Sequence, residues 1–572
     1  YKDIEGEDNM YRLINHLFNI SLVLLFVYLI IVIVLYIFKN KINNKVSRII
    51  LLCPLFMAII HYIYYYFPSD FQISIFLFIY IYPIFIIIWQ LFKKFRKVFR
   101  VFFYLLLVFG MFGYILTYYV TLQMDNLHVL TRYKYTNSFN KTIEILKKEY
   151  VLNEHKKIDY NYLYDKYYSL VKQAEENNDE ELYMKTMYEF SSNFKDGHFI
   201  FNIYDEQIKN NFYKQYYNKD YGFGTILLSN GKVSAILVDK DSEAYKKGLR
   251  DGMIVTKKNN LNVEEVMRDI VIPKNNYPVL EDELLFKSFY LFATGNEKVN
   301  VTFINKDGKE KNIEVSSISD ENNKQEKLWN KIMYYDEKLN NFDTKVINKN
   351  IGYIVINHEN TDIFKGLIGY GIDDASYYMN ELLDKKIGNL VKQGISTLIL
   401  DLRNNNGGYL VEAEAIASMF TKDNYLVLKE AKYNSNLFNK SYLKGNGKYS
   451  NLKLVVLVNS NTISSGDILT YLLKKNENTI VIGFTNSNNS SQSIGGLILL
   501  SGGKSSIVYP TYKALDENDN IFIDPDYNRD ATLKLDVRIN LNKENIKDIV
   551  YSNDDYDYLL EYVVNNYLED EN

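Results

Sequence analysis

Cysteine is all but absent from this sequence. The single Cys53 among 572 residues excludes an internal disulfide and any metal site built from several thiolates. Histidine is scarce, with six residues, so each one can be placed individually. Charge of one sign is also lacking. A formal net charge of −4 leaves no broad basic field, which argues against nucleic acid as the main partner. What the chain has in quantity is apolar and aromatic side chain, 47% and 15% respectively. That is enough to fill more than one core, so several domains are expected and a disordered chain is not.

The apolar residues are unevenly spread. Four long runs fill residues 17–38, 49–67, 71–92 and 101–122, each near the roughly 20 residues a helix needs to cross hydrocarbon. They predict a block of four transmembrane helices over 17–122, after an N-terminal tail of 1–16 in which Met10 is a candidate natural start. The basic loops 39–48 and 93–100 would face the cytoplasm, leaving the remainder of the chain outside. The location expected on this reading is a multi-pass cell-membrane protein with the lipid bilayer as a partner. His16, Cys53 and His61 fall in or beside these runs and are read as packing residues.

Residues 123–218 carry helical spacing and end near "KDGHFIFN", which contains Asp196, Gly197 and His198. Residues 219–318 read as a compact β-rich module: strand, tight glycine turn, strand, short helix, strand, and a hairpin about a Lys-Asp-Gly turn. Residues 319–345 are polar and read as a linker. From 346 to 572 the texture is α/β, with apolar strands alternating with helices near 372–393, 410–420 and 465–475. Ligands gather at the carboxyl ends of strands in such sheets. Those ends carry "RNNNGG" after 397–402 and "SNTISSGD" after 453–458, and the two loops are expected to meet.

The second loop sets Ser464 and Ser465 at a helix start. A serine hydroxyl is a poor nucleophile near neutral pH and needs a positioned base. For an arbitrary serine pair the ordinary role is helix capping.

Four blocks taken in order, "DGH" at 196–198, "GFG…GLRDGMIV" at 222–255, "LILDLRNNNGG" at 398–408 and "LVNSNTISSGDI" at 457–468, resemble the carboxyl-terminal processing (tail-specific) serine peptidases, including their tricorn-like branch. The resemblance spans about 190–540. It implies a PDZ-like domain before a mixed α/β, crotonase-like peptidase core, with no cofactor. By position it makes Ser464 the nucleophile, with an oxyanion hole from the Ser465 N–H and Gly407 or Gly408. The processing branch takes its base from a lysine about 25 residues after the serine, where this chain has Asn489 and where Lys504 is the nearest later lysine. The tricorn-like branch takes a histidine from the block matching "DGH". That assigns the base to His198, 464 − 198 = 266 residues upstream. An orienting acid is sought in Asp524 or Asp526, with Ser487, Ser490 and Ser491 as weaker candidates. In the PDZ-like domain the loop Tyr221, Gly222, Phe223 and Gly224 would capture the terminal carboxylate of a protein or peptide substrate. The alternative is a catalytically inactive relative that binds a ligand or polypeptide as a membrane receptor. The sequence leaves the oligomeric state undetermined.

Overall fold

The computed structural model describes residues 126–568, apart from 217–218, 273–275, 294–296, 319–323, 335–337 and 360–374. These residues fall into two compact units. The described part of one comprises 126–132, with strand β1 (Asn126–Val129), and 499–504; the other comprises 133–498 and 505–568.

The expected four-helix transmembrane region is corrected by this structure. No helix among the described residues is long and apolar enough to cross a membrane. The two longest, at 18 residues each, illustrate why: Tyr160–Asn177 carries Asp165, Lys166, Lys172, Glu175 and Glu176, and Ala375–Lys392 carries five charges of its own. The four apolar runs between 17 and 122 lie outside the described residues. The multi-pass location and lipid partner are not carried further.

The larger unit begins with helices α1 (Tyr135–Glu149), α2 (Tyr160–Asn177) and α3 (Glu180–Ser191). Asp159 and Asp179 cap α2 and α3 by accepting backbone N–H groups. Phe139, Phe190, Phe194 and Phe199 pack between them as ring pairs. Strand β2 (Ile200–Ile203) and helix α4 (Glu206–Tyr216) follow.

The β-rich module expected over 219–318 is a sheet of β3 (Gly224–Leu227), β4 (Val233–Ile236), β5 (Ile254–Lys258), β7 (Lys298–Ile304) and β8 (Glu310–Ser316) in that order, with β6 (Leu261–Asn262) paired to β5. Helices α5 (Glu243–Lys246), α6 (Val263–Asp269) and α7 (Leu280–Phe289) accompany it. The anticipated hairpin is β7–β8, turning at Gly308 with φ of 74°. The supposed linker is not one, because it contains helix α8 (Lys324–Met333), whose Leu328, Ile332 and Met333 are buried. Its polar composition hid an apolar stripe at helical spacing.

The remaining chain builds a six-stranded sheet of order β19-β15-β14-β11-β10-β9. Its members are β9 (Thr344–Asn348), β10 (Ile351–Val355), β11 (Thr397–Asp401), β14 (Lys453–Leu457), β15 (Thr479–Gly483) and β19 (Val537–Arg538), all parallel except β9. Parallel strands buried on both faces read as continuous apolar runs, and alternate residues serve two cores. Ile354, Leu398, Leu400, Leu454 and Val456 face helices α9 (Ala375–Lys392), α10 (Leu410–Ser418) and α11 (Ser465–Lys474). Tyr353, Val355, Ile399, Val455 and Leu457 face α7, α8, α12 (Asn545–Tyr551) and α13 (Tyr558–Val563). A three-stranded sheet of β12 (Asn424–Lys432), β13 (Asn439–Lys444) and β18 (Tyr512–Leu515) lies apart from it. Strand β16 (Ile494–Leu499) precedes β17 (Ser505–Pro510), which pairs with β2, so residues 505–508 lie beside 200–203. That pairing anchors the segment just after His198.

Candidate active site

Three loops leave the carboxyl ends of β10, β11 and β14, and they are tied to one another. The Ile463 N–H donates to the Asn405 carbonyl at 3.0 Å, the Thr462 hydroxyl to the Leu402 carbonyl at 2.6 Å, and the Asn405 amide to the Ile356 carbonyl at 2.9 Å. Arg403, buried, is held between Asp401 and Asp557 at 2.9 Å each. Both carboxylates make further contacts to the same guanidinium, the pairing and hydrogen bonding that a buried charge requires.

Ser464 stands just before α11 with φ of 64° and ψ of −125°. A non-glycine residue held there is strained, and such strain persists only where surroundings enforce it. Here the Ser464 N–H is fixed by the Ser490 carbonyl at 3.1 Å. Its hydroxyl, half-buried, makes no hydrogen bond among the described residues. A sharp turn from strand to helix with a serine at its apex is the geometry that projects a nucleophile. The glycine turn lies against it: a Cβ on Gly407, whose φ is 80°, would come 2.6 Å from Ser464 Cβ and 3.2 Å from its Oγ.

The expected oxyanion donors separate on inspection. The Gly407 N–H donates to the Asn405 side chain at 2.8 Å and is spoken for. Neither the exposed Gly408 N–H nor the Ser465 N–H at the first position of α11 has an acceptor among the described residues. A helix start leaves such groups unpaired and favours negative charge there. The Ser465 hydroxyl is buried and donates to Glu359 at 2.8 Å, so that side chain is no second nucleophile.

His198 reaches this place from far away in the chain. Ser490 is the meeting point, its carbonyl taking the Ser464 N–H and its hydroxyl the Gly197 N–H at 2.9 Å. A Cβ on Gly197 would come 1.9 Å from Asn488 Oδ1 and 2.8 Å from the Ile463 side chain, so a larger residue there would have to displace both. The imidazole is buried and its Nδ1 lies 2.7 Å from the Gln492 carbonyl. That contact places the proton on Nδ1 and leaves Nε2 as an acceptor. Burial lowers its pKa from the ordinary value, against the opposing pull of Asp196 and the Gln492 carbonyl. The ring is therefore neutral near pH 7. No hydrogen bond joins it to Ser464 in this state.

Neither acid expected to orient the ring does so. Asp524, buried, accepts the Ser491 N–H at 3.2 Å and lies 3.7 Å from Lys156; burial raises its pKa well above the carboxylate range despite that lysine. Asp526 binds Asn528 in an exposed turn. Ser487 and Ser491 serve the loop itself, and Ser490 holds Gly197 rather than the imidazole. Asp196 accepts the His198 backbone N–H and the Tyr150 hydroxyl, each at 2.9 Å. Asn489, standing where the lysine base was sought, is buried and accepts the Thr532 hydroxyl and the Leu533 N–H. Lys504 belongs to the smaller unit.

Two residues escaped the sequence analysis. Asp467, fully buried in the first turn of α11, accepts the Asn489 and Ser490 N–H groups at 2.9 and 3.0 Å and so holds the loop that holds Ser464. Burial pushes its pKa up to about 7. Glu359 follows the carboxyl end of β10, as the other two loops follow β11 and β14, and that position is its signal in the sequence.

Residues 350–529 match peptidase family S41. Over this segment the chain is similar to the serine peptidases of that family. A probable CtpA-like serine protease of Staphylococcus haemolyticus is 29% identical over 92 residues, 16% of this chain and 18% of that protein. The match thus spans less than a fifth of the curated relative. Among solved structures, mature CPAF complexed with lactacystin is similar at 11% identity over 73% of this chain and 96% of that one, with a TM-score of 0.46. The photosystem II D1 C-terminal processing protease is similar at 15% identity over 72% and 94%, with a TM-score of 0.33. The peptidase domain contains Ser464, Ser465, Gly407 and Gly408, whereas His198 and the 221–224 loop lie outside the matched segment.

At the 221–224 loop, Tyr221 and Phe223 are buried in the core of the β-rich module. The Gly222 N–H donates to Asp220 at 2.7 Å. Asp220 in turn pairs with Lys324, which also meets Asp239 at 2.8 Å.

Proposed function

We propose that this protein is a serine endopeptidase that hydrolyses peptide bonds in protein or peptide substrates, with Ser464 as nucleophile and His198 as its base. The strained turn at Ser464, set against Gly407 and before the unpaired Ser465 N–H, carries this reading. In the reaction His198 Nε2 takes the hydroxyl proton as Ser464 Oγ bonds to the scissile carbonyl carbon. The resulting oxyanion is held by the Ser465 and Gly408 N–H groups. The imidazolium then returns the proton to the leaving amine, and water repeats the sequence on the acyl-enzyme. The Gln492 carbonyl keeps the ring in the productive tautomer, the part an acid plays in other triads. A small movement of His198 toward Ser464 on substrate binding is part of this reading, since catalytic hydrogen bonds often tighten only in the complex.

The β-rich module at 219–318 is proposed to be a PDZ-like domain that presents substrate tails, with the 221–224 loop taking the terminal carboxylate. Its support is the glycine turn at Gly222, with φ of 80°, at the head of strand β3. The test of the catalytic assignment is covalent labelling by a fluorophosphonate. Modification at Ser464, lost in Ser464→Ala, supports it; folded protein that does not label is a non-catalytic relative.

A further inference from the structure

We propose that Glu359 is a positioning residue of the peptidase site, a buried carboxyl group that ties the nucleophile helix to the oxyanion turn and works in its protonated form. The inference rests on the assignment of Ser464 as nucleophile.

Glu359 touches every part of the oxyanion site except the serine itself. Its N–H donates to the Gly407 carbonyl at 3.1 Å and its carbonyl accepts the Tyr409 N–H at 2.8 Å, so its backbone brackets Gly408. Its side chain accepts the Ser465 hydroxyl at 2.8 Å on one oxygen and the Asn405 amide at 2.7 Å on the other. Asn405 passes the constraint on, holding the Gly407 N–H at 2.8 Å. One side chain thus fixes the spacing between the two unpaired N–H groups. Such donors act only if they are held in place before the charge develops.

The charge on this carboxyl decides whether the arrangement helps. Glu359 is fully buried, and desolvation pushes its pKa up to about 7 against the hydrogen bonds from Ser465 and Asn405. Glu412 of α10 is likewise raised to about 7, by burial first and then by the charge of Glu359. The 402–408 loop and the start of α11 present Asn405 and Ser465 to it, neither of them ionisable. Among the described residues no lysine or arginine pairs with Glu359, whose side-chain partners are Asn405 and Ser465. Two acids so placed resist ionising together, and the apparent titration belongs to the pair. An ionised Glu359 would set a negative charge next to the residue whose N–H receives the oxyanion and would oppose it. The protonated acid still accepts from the Asn405 amide on one oxygen, keeps the Ser465 hydroxyl as hydrogen-bond partner on the other, which carries its proton, and leaves the oxyanion donors uncompensated.

The test compares fluorophosphonate labelling rates of the full chain between pH 5 and 9 for wild type, Glu359→Gln and Glu359→Ala. Wild type should lose rate above about pH 7. Glu359→Gln, permanently neutral and similar in shape, should stay within about 3-fold of wild type at pH 6 and lose that alkaline decline. Glu359→Ala should be slower by about 10²-fold at every pH. An alkaline decline that persists in Glu359→Gln, or a Gln variant as damaged as the Ala variant, overturns the proposal. Amide exchange separates this from failure of the peptidase reading. If wild type never labels, the catalytic assignment is at fault, and the clamp is then judged by exchange over 404–409 and 463–467. Faster exchange in folded Glu359→Ala, restored in Glu359→Gln, supports it; exchange unchanged in the Ala variant overturns it.

Discussion

Two regions of this molecule are proposed to engage a peptide backbone, and they treat their own polar groups in opposite ways. At the serine turn, the Ser465 and Gly408 N–H groups have no acceptor among the described residues and Ser464 holds a costly conformation. At the edge of β3, the Leu227 N–H is taken by the Ser288 hydroxyl at 2.8 Å and the Thr225 hydroxyl by the Ser288 carbonyl at 2.6 Å. Helix α7 covers an edge that would otherwise add a foreign strand, a usual protection of exposed sheet edges. Unpaired donors beside an exposed surface mark a place prepared for ligand. Paired ones mark a place that has to be opened first.

The comparison is tested most severely at the nucleophile. Ser464→Ala and His198→Ala should each lower peptide cleavage by roughly 10³-fold or more, and the double variant should lose little beyond either. Additive losses would show that the two residues do not act together.

Next in size is the glycine turn. Gly407→Ala should cut kcat by about 10²-fold, because the new methyl group meets Ser464 and the Ile463 carbonyl at 2.8 Å. Gly231→Ala, at a similar φ of 78° but with nothing within 4 Å, should cost about 1 kcal/mol of stability and no activity. Equal kcat values for the two variants would detach the turn from the chemistry.

Buried acids give a smaller effect with a definite sign. Asp467, Glu359 and Glu412 all have folded pKa values raised to about 7, so the stability they contribute is full below about pH 4, the unfolded value, and is lost as pH rises through 7. Between pH 5 and 8 the melting temperature should therefore fall, less steeply in Asp467→Asn. His198, with its lowered pKa, acts oppositely on the acid side. A melting temperature that climbs throughout this range contradicts the burial of the three acids.

The weakest expected effect concerns the module. Peptides with a free carboxylate should bind the full-length Ser464→Ala protein more tightly than their amidated forms, by no more than about tenfold, given the covering helix. Equal affinities would remove carboxylate capture by the 221–224 loop.

Much of this was legible in the sequence because parallel strands with both faces buried must be continuous apolar runs, and the loops after β11 and β14 follow from them. The serine turn was legible as a block of residues. What was hidden was hydrogen bonding. Any residue can offer a carbonyl, so nothing in the chemistry of Gln492 marks it as the partner of His198, and an acid was sought in Asp524 or Asp526 instead. Likewise Gly407 and Gly408 are equivalent in a string of letters; the Asn405 side chain makes them different. Helix α8 was missed because Lys, Gln and Glu outnumber the few apolar residues that dock it.

Ser490 ties together two residues far apart in the chain, Gly197 and Ser464. Its hydroxyl holds Gly197 and its carbonyl holds Ser464, while β17 is laid beside β2. During synthesis the chain emerges from its N-terminus, so a nascent protein carries His198 long before it has a serine turn, and gains the turn before the anchor that fixes it. Only after residue 508 is made can nucleophile and base be locked together. In the proposed reading, nucleophile and base therefore come together only late in synthesis, a timing set by the order of residues along the chain.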